Sequence, residues 1–290
     1  MAQPSHAASR RMMPIALLVN PDSGTGEANR VRDELGALGA EVDLYPLSEW
    51  QRAARSNARR IVVAGGDGSI GDAATAAAQA RVPLAVVPVG TANDFARVLR
   101  LPDKLTAACR LAVHGTRTRS LDLGRMGERP FVNVASVGLP PIAARKARGW
   151  KRPLGPLAYA LGAVRAGLTA NPIECGLRCD ESEVFAGLAW QVTVACTGAF
   201  GAGASVGANP VDGALDAVVV QATPRPTLAV RAFGLRLGRL ESQQGVRSFR
   251  GRRIELEVPD ESTYNVDGEV LRAGSETFTA MPQAFEVVVG

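Results

Sequence analysis

The apolar positions of this chain fall into two regimes. From Pro14 to about Leu123, short runs apolar on both faces alternate with stretches of helical spacing. Ile15–Val19, Val42–Leu44, Ile61–Ala64 and Leu84–Val87 are predicted strands. Glu27–Leu38, Glu49–Asn57, Ile70–Gln79, Asp94–Leu99 and Leu105–Val113 are predicted helices between and after them. Strands without a polar face, separated by helices, predict a parallel sheet covered on both sides. After Asp122 the pattern changes. Phe131–Val137, Trp190–Cys196, Ala217–Gln221, Ile254–Val258 and Phe285–Val289 read as strands, and Gly and Pro cluster between them. Helical spacing persists only over Gly155–Thr169 and Thr227–Leu240. The chain therefore divides into a disordered tail (1–13), an α/β unit (14–124) and a β-rich, mostly antiparallel unit (125–290).

Composition narrows the class without naming a function. With 290 residues, 46% hydrophobic and 21% charged, the chain has enough apolar surface for two modest domains and is not disordered or fibrous. A net charge of +5 permits attraction to anionic lipid or to nucleic acid and selects neither. Of the cysteines Cys109, Cys175, Cys179 and Cys196, only the middle two are close in sequence, and no histidine lies near them. Reduced, partly buried thiols are expected rather than a zinc site. Arg10-Arg11 followed by Met12–Val19 faintly resembles a signal peptide, but the apolar stretch is short and runs straight into Asn20-Pro21. It reads as the first strand. No apolar run approaches the ~20 residues needed to cross a bilayer. A cytoplasmic protein that touches membrane only peripherally is expected.

The candidate chemistry sits in two glycine-bracketed loops. Gly65-Gly66-Asp67-Gly68-Ser69 and Gly90-Thr91-Ala92-Asn93-Asp94-Phe95-Ala96-Arg97 each follow a predicted strand and lead into a predicted helix. Such turns gather backbone N–H groups and a helix N-terminus at one point, which suits phosphate. Asp67 or Asp94 would repel a bare polyphosphate, so a divalent cation is expected between acid and phosphate. No Walker A sequence is present, and the glycine run from Gly198 to Gly207 leads into Asn209-Pro210 rather than a helix, so it is not a dinucleotide fingerprint. Each loop also has a plainer reading. Asp67 can simply satisfy donors in a tight turn, and Asn93-Asp94 can be an N-cap and first-turn acid, with Asp94 paired to Arg97. His6 lies in the tail and His114 at a helix end, so a proton acceptor for phosphoryl transfer should be a carboxylate.

Taken together, these loops resemble the catalytic domain of the diacylglycerol-kinase family, which includes bacterial lipid kinases and the sphingosine and ceramide kinases. Gly65 to Ser69 matches its Gly-Gly-Asp-Gly-Thr/Ser signature, and Gly90 to Arg97 matches Gly-Thr-x-Asn-Asp-Phe-Ala-Arg at every fixed position. Asn20-Pro21-Asp22-Ser23-Gly24 stands where the family has Asn-Pro-x-Ser-Gly. Gly-Gly-Asp-Gly alone is shared with NAD kinases and phosphofructokinases; the Asn-Asp-Phe-Ala-Arg element is far more specific. The resemblance implies a phosphofructokinase- and NAD-kinase-like nucleotide domain followed by a β-rich lipid-binding domain. Asn20, Gly65, Gly66, Asp67, Gly68, Ser69, Thr91 and Asn93 would hold ATP, with Asp67 and Asp94 organising Mg²⁺ and phosphates. Asp267-Gly268-Glu269 matches a late Asp-Gly-Glu element, which makes Asp267 the proton acceptor and Glu269 its support. By spacing alone, that Asp-Gly is a hairpin turn. Val211-Asp212-Gly213 resembles a loop that binds a structural Mg²⁺, here through Asp212 and the main-chain oxygens around Asn209 and Ala214. Asp122 is a possible third acid at a strand end.

For the lipid, Arg145 to Arg152 with Trp150 precedes the apolar stretch Leu154–Leu168, a pattern suited to an anionic membrane surface. The expected activity is Mg²⁺-dependent transfer of the γ-phosphate of ATP to a hydroxyl of a glycerolipid or related lipid. Diacylglycerol and phosphatidylglycerol are the first candidates. No nucleic-acid partner is expected, and oligomeric state is open. A soluble sugar-phosphate or NAD-type kinase and a non-catalytic, nucleotide-gated lipid-binding protein are the rival readings.

Overall fold

A computed structural model describes residues 12–20, 25–139, 171–200, 204–205, 207–224 and 245–290. The first half alternates as the apolar pattern requires: β1 (Met13–Val19), α1 (Thr25–Ala37), β2 (Ala40–Pro46), α2 (Trp50–Ala54), β3 (Arg60–Gly65), α3 (Ile70–Ala80), β4 (Leu84–Pro88), α4 (Asp94–Val98) and α5 (Leu105–His114). The four strands are parallel in the order β2-β1-β3-β4. All six residues of β3 are buried because both faces of the sheet are covered. On one face Leu18, Ile61, Val63 and Val86 pack against Ala73, Ala77 and Phe95 of α3 and α4. On the other, Leu17, Val62 and Val87 pack against Val31 and Leu35 of α1 and Ala108 and Ala112 of α5.

The second half is β5 (Arg117–Met126), β6 (Arg129–Phe131), β7 (Val134–Gly138), β8 (Ile173–Cys179), β9 (Ser182–Ala195), two short strands at 199–200 and 204–205 (β10 and β11), β12 (Leu215–Gln221), β13 (Val246–Gly251), β14 (Arg253–Glu257), β15 (Ser262–Val266), β16 (Glu269–Ala273) and β17 (Glu276–Val289). Apart from β10 and β11, these strands join the first into one sheet with the hydrogen-bonded path β16-β15-β7-β9-β8-β14-β17-β4-β3-β1-β2, from which β12 and β13 branch at β9, and β5 and β6 at β17. Nearly all pairings in this half are antiparallel, and Tyr264, Phe131, Phe278, Leu177 and Ile254 fill its core. The architecture is thus a parallel α/β layer followed by a β-rich unit.

Three predicted elements take a different form, each for a local reason. The helix expected over Glu49–Asn57 ends at Ala54, because the Ser56 hydroxyl bonds back to the Ala53 carbonyl and receives the Ala58 N–H, turning the chain toward β3. The single strand expected over Phe131–Val137 is broken at Val132 and Asn133, whose amides point to a carboxylate instead of a neighbouring strand. The strand expected at Phe285–Val289 is the end of the longer β17, which bulges between Met281 and Phe285. There it lies parallel to β4 at Val287 and antiparallel to β5, so the last strand completes the sheet that the first half begins. The expected helices Gly155–Thr169 and Thr227–Leu240, and the basic segment Arg145–Arg152, lie outside the described residues.

Phe285 also stacks on Phe95 of α4, with ring centroids 6.4 Å apart, tying the last strand to the second glycine loop. Replacing Phe285 by alanine should lower unfolding free energy by about 3–5 kcal/mol. In denaturant titration the midpoint should fall with little change of slope.

Candidate active site

Four connections converge beside the carboxyl ends of β3 and β4. The first glycine loop leaves β3, passes through a single 3₁₀ turn over Asp67–Ser69, and enters α3. The second leaves β4 and enters α4. The two loops touch directly: a Cβ built on Gly90 would lie 2.5 Å from the Gly66 Cα and 2.7 Å from the Asn93 Oδ1. Only glycine fits at such an approach. The third and fourth connections come from the β-rich half. They are the break between β6 and β7 and the hairpin between β15 and β16. Of these, β7, β15 and β16 stand at the far end of the sheet path from β3 and β4, while β6 pairs with β5 beside β17, so the sheet must curl back on itself to bring them together here.

Asp67 is the fastener between the two glycine loops. Its Oδ2 accepts the Asp94 N–H at 3.0 Å, and its Oδ1 accepts the Phe95 N–H at 2.9 Å. A carboxylate from one loop thus caps the helix that the other loop begins, with the charge placed favourably for the helix dipole. The N-cap reading of Asn93 is corrected accordingly. Asn93 does occupy that position, with φ +51°, but its amide donates to the Gly90 carbonyl and caps nothing. Ser69 is buried at the start of α3 without a capping side-chain bond. Asp94 is buried and pairs with Arg97 one turn later at 2.6 Å. Thr91 is exposed on the loop, and Asn20 is half-buried just after β1. The rest of the Asn-Pro-x-Ser-Gly element, Pro21–Gly24, lies outside the described residues.

Asp267 and Gly268 form the two-residue turn between β15 and β16, with Val266 paired to Glu269. Both have positive φ, +46° and +94°, the backbone of a type I′ hairpin. The hairpin reading is therefore met at this pair of residues, one of which is the candidate acid. The turn aims the Asp267 carboxylate at the β6–β7 break, where Val132, Asn133 and Val134 donate their N–H groups at 2.7, 2.9 and 2.9 Å. Burial pushes this carboxyl up from 3.8 to about 7, with the three N–H donors pulling the other way and the nearby Asp67 charge adding to the rise. Glu269 lies on the rim. It pairs with Arg129 at 2.7 Å, and a Cβ on Gly68 would lie 3.2 Å from its Cγ. Asp72, on the first turn of α3, is raised by burial, lowered by Arg129 and raised by Glu269.

The structure also brings in a residue that pattern reading passes over. Asn133, buried in the β6–β7 break, donates from Nδ2 to the Asp67 Oδ1 at 2.9 Å while its backbone N–H serves Asp267. Its signal in the sequence is a lone amide inside the apolar run Phe131-Val132-Asn133-Val134, a placement costly unless its hydrogen bonds are met.

The remaining candidates are engaged with other partners. Asp122 is inside β5 rather than at a strand end. It is fully engaged as a tie, accepting the Gly213 N–H at 2.7 Å and the Gln283 N–H at 2.8 Å. In the loop of Asn209, Asp212 and Ala214, the Asp212 carboxylate accepts the Ala214 N–H and is ion-paired with Arg250, which also reaches Asp216 at 3.9 Å. A cation there would compete with a guanidinium for Asp212. At the convergence itself, Asp67 and Asp94 offer the hard oxygen donors that suit Mg²⁺. Among the described residues, no group of three or more His, Cys, Asp or Glu is placed to enclose a metal alone. Phosphate oxygens would have to complete the shell. All four cysteines are buried and free, and burial pushes their thiols up.

Comparison with known proteins fixes the relationship. The family profile described as "Diacylglycerol kinase catalytic domain" matches residues 14–126, and "YegS C-terminal NAD kinase beta sandwich-like domain" matches residues 133–289, more than half of the chain. The chain belongs to the diacylglycerol-kinase family of bacterial lipid kinases. Within this family, the chain is 30% identical over 242 residues to a probable lipid kinase YegS-like protein of Pseudomonas aeruginosa, covering 78% of this chain and 75% of that one. A YegS-like relative from Klebsiella pneumoniae is 25% identical over 93% of this chain and 94% of its own. A diacylglycerol kinase of Staphylococcus aureus is 31% identical over 49% of this chain and half of its own length. Among solved structures, one described as a putative diacylglycerol kinase from Bacillus anthracis superposes with a TM-score of 0.78 over 99% of both chains at 22% identity. An NAD kinase from Archaeoglobus fulgidus gives 0.52 over 95% of this chain and 93% of that one at 15% identity. These two likenesses concern the fold. As a member of the family the protein is a kinase, a phosphotransferase with a hydroxyl acceptor.

The crossing of the two glycine loops gives a stability test that needs no substrate. Gly90→Ala should lower the thermal midpoint, because the added methyl meets backbone that cannot retreat. The matched control Gly36→Ala, in α1 with nothing within 4 Å of its Cβ, should leave the midpoint equal or raise it.

Proposed function

We propose that this kinase transfers the γ-phosphate of ATP, with Mg²⁺, to a hydroxyl group of a membrane glycerolipid such as diacylglycerol or phosphatidylglycerol. The observation that carries the reading is the meeting of the two glycine loops with the Asp267 hairpin through Asn133. Phosphoryl transfer asks for three things at one place: a cradle for the phosphates, acids that fix a divalent cation, and a group that takes the acceptor's proton. Gly65, Gly66, Gly68, Ser69, Thr91 and Asn93 form the cradle, with Asn20 at its edge. Asp67 and Asp94 would hold the divalent cation, which would neutralise phosphate charge when ATP is bound.

Asp267 accepts the hydroxyl proton. Its pKa of about 7 is matched to that task, since an acceptor works best when its pKa lies near the working pH. Glu269 and Arg129 form the rim over which the acceptor enters. The Mg²⁺ requirement is assigned to this centre. A second, structural ion at Asp212 would have to displace Arg250. The lipid reading is supported by the names of the relatives, lipid kinase and diacylglycerol kinase. Among the described residues, no helix is long and apolar enough to cross a membrane. Peripheral contact with the lipid, from the cytoplasm, is part of this proposal.

The direct test is transfer of label from γ-labelled ATP to diacylglycerol, phosphatidylglycerol, sphingosine and ceramide in mixed micelles, with NAD and sugar phosphates as soluble controls. Label in a lipid supports the reading, and label in the soluble controls alone overturns it. Asp267→Asn should reduce kcat by roughly 10²- to 10⁴-fold while ATP binding is retained.

The raised pKa also fixes the sign of the pH dependence. The native carboxyl binds its proton more tightly than the unfolded chain does. Its contribution to stability is thus full below 3.8 and is lost as pH rises through about 7. Over the same rise the proton-accepting form grows in, so kcat/KM should climb with pH to a plateau above about 7. A flat profile through that region in the wild-type enzyme would remove Asp267 as the acceptor.

A further inference from the structure

Asn133 does more than fill the β6–β7 break. The Asp67 carboxylate can only accept, so the Asn133 amide must present its N–H side there, at 2.9 Å. That choice turns the Asn133 Oδ1 toward Thr197, whose hydroxyl must therefore donate, and does so at 2.6 Å. The chain of donors has one direction: Thr197 hydroxyl to Asn133 carbonyl, Asn133 amide to Asp67 carboxylate. Asn133 and Thr197 are both buried, and the backbone locks the same three segments together. Cys196 N–H bonds to the Asn133 carbonyl at 2.9 Å, Thr197 N–H to the Val132 carbonyl at 3.1 Å, and Asp267 N–H to the Val134 carbonyl at 2.9 Å. One residue thus holds Asp67, from the α/β half, and Asp267, from the β-rich half, through its side chain and its backbone N–H respectively.

We infer that Asn133, oriented by Thr197, is a positioning residue for phosphoryl transfer: it fixes the nucleotide-side acid against the proton acceptor across the junction between the two halves. The inference rests on the kinase reading above. Neither residue is assigned contact with substrate. An apolar side chain would suit an apolar strand run better, and a buried polar chain is worth its desolvation only if every member is satisfied. Here the members are satisfied, and the chain ends on the carboxylate that also caps α4. Displacement of a reacting group by an ångström or so costs rate rather than affinity.

The test measures kcat and KM separately for both substrates, using labelled ATP and whichever of diacylglycerol or phosphatidylglycerol the wild-type enzyme labels faster. Asn133→Ala should lower kcat by about 10²-fold with little change in either KM. Asn133→Asp keeps the shape but faces one acceptor with another, and should be at least as slow. Thr197→Val should lower kcat by about tenfold, the equivalent of one hydrogen bond in a network, and Thr197→Ser should restore it.

In the double variant Asn133→Ala/Thr197→Val, the second change should add nothing, since both act through one chain of bonds. Two independent structural defects would instead multiply. Wild-type kcat in Asn133→Ala, multiplicative losses in the double variant, or a raised KM for ATP at unchanged kcat would each overturn the inference. Should Asn133→Ala fail to fold, the Thr197→Val and Thr197→Ser pair decides: equal kcat in both overturns it. Absence of lipid labelling by the wild-type enzyme overturns the kinase reading itself and this inference with it. Wild-type labelling with unaffected variants overturns only the inference.

Discussion

The carboxylate of Asp67 is the constraint on which the arrangement of the site depends. It accepts two backbone N–H groups from the start of α4 and one side-chain amide from the β-rich half. A short helix of five residues has little stability of its own, because helix formation gains only after a costly first turn. Tied to Asp67, α4 acquires a fixed direction, and with it the buried Asp94 and the Phe95 ring that stacks on the last strand. The same side chain therefore sets the mutual position of both glycine loops and the docking of the second half. Three donors take most of the roughly four acceptor positions of a carboxylate.

The two halves divide the chemistry as well as the fold. The parallel layer contributes backbone donors and helix starts, which attract anions. The antiparallel half contributes a carboxyl made less acidic by burial, held on a hairpin turn whose left-handed backbone points it inward. Neither half alone places an acid and an acceptor of protons together. Curling of one hydrogen-bonded sheet, in which β15 and β16 stand far along the path from β3 and β4, is what closes the distance.

Much of this was legible in the residue pattern. Apolar runs of four or five residues marked β1, β3 and β4, and the two glycine loops were found because turn chemistry and strand ends coincide there. Asp267-Gly268 was legible as a turn from spacing and as an acid of interest only through family resemblance. The structure shows the turn, with both residues at positive φ, and it buries the Asp267 carboxyl. What escaped was non-local. The capping of α4 comes from 27 residues earlier in the chain, not from Asn93 beside it. Phe131–Val137 looked like one strand because β-propensity does not register that Val132 and Asn133 turn their amides to a carboxylate more than 130 residues away. Asp122 looked like a strand-end acid, and its work as a tie to Gly213 and Gln283 depends on two loops that only the folded chain brings near it.

The place of β17 has a consequence for how the protein is made. The strand that lies between β4 and β5 follows every other described strand in the sequence, so the sheet carrying the glycine loops stays open along one side until Glu276–Val289 has been made. A nascent chain that has already emitted both glycine loops still lacks the strand on which Phe95 stacks, and its exposed β4 edge is available to wrong partners. Closure by contacts of such long sequence separation is slow. Synthesis thus passes through a vulnerable interval in which both glycine loops exist before the strand that closes their sheet.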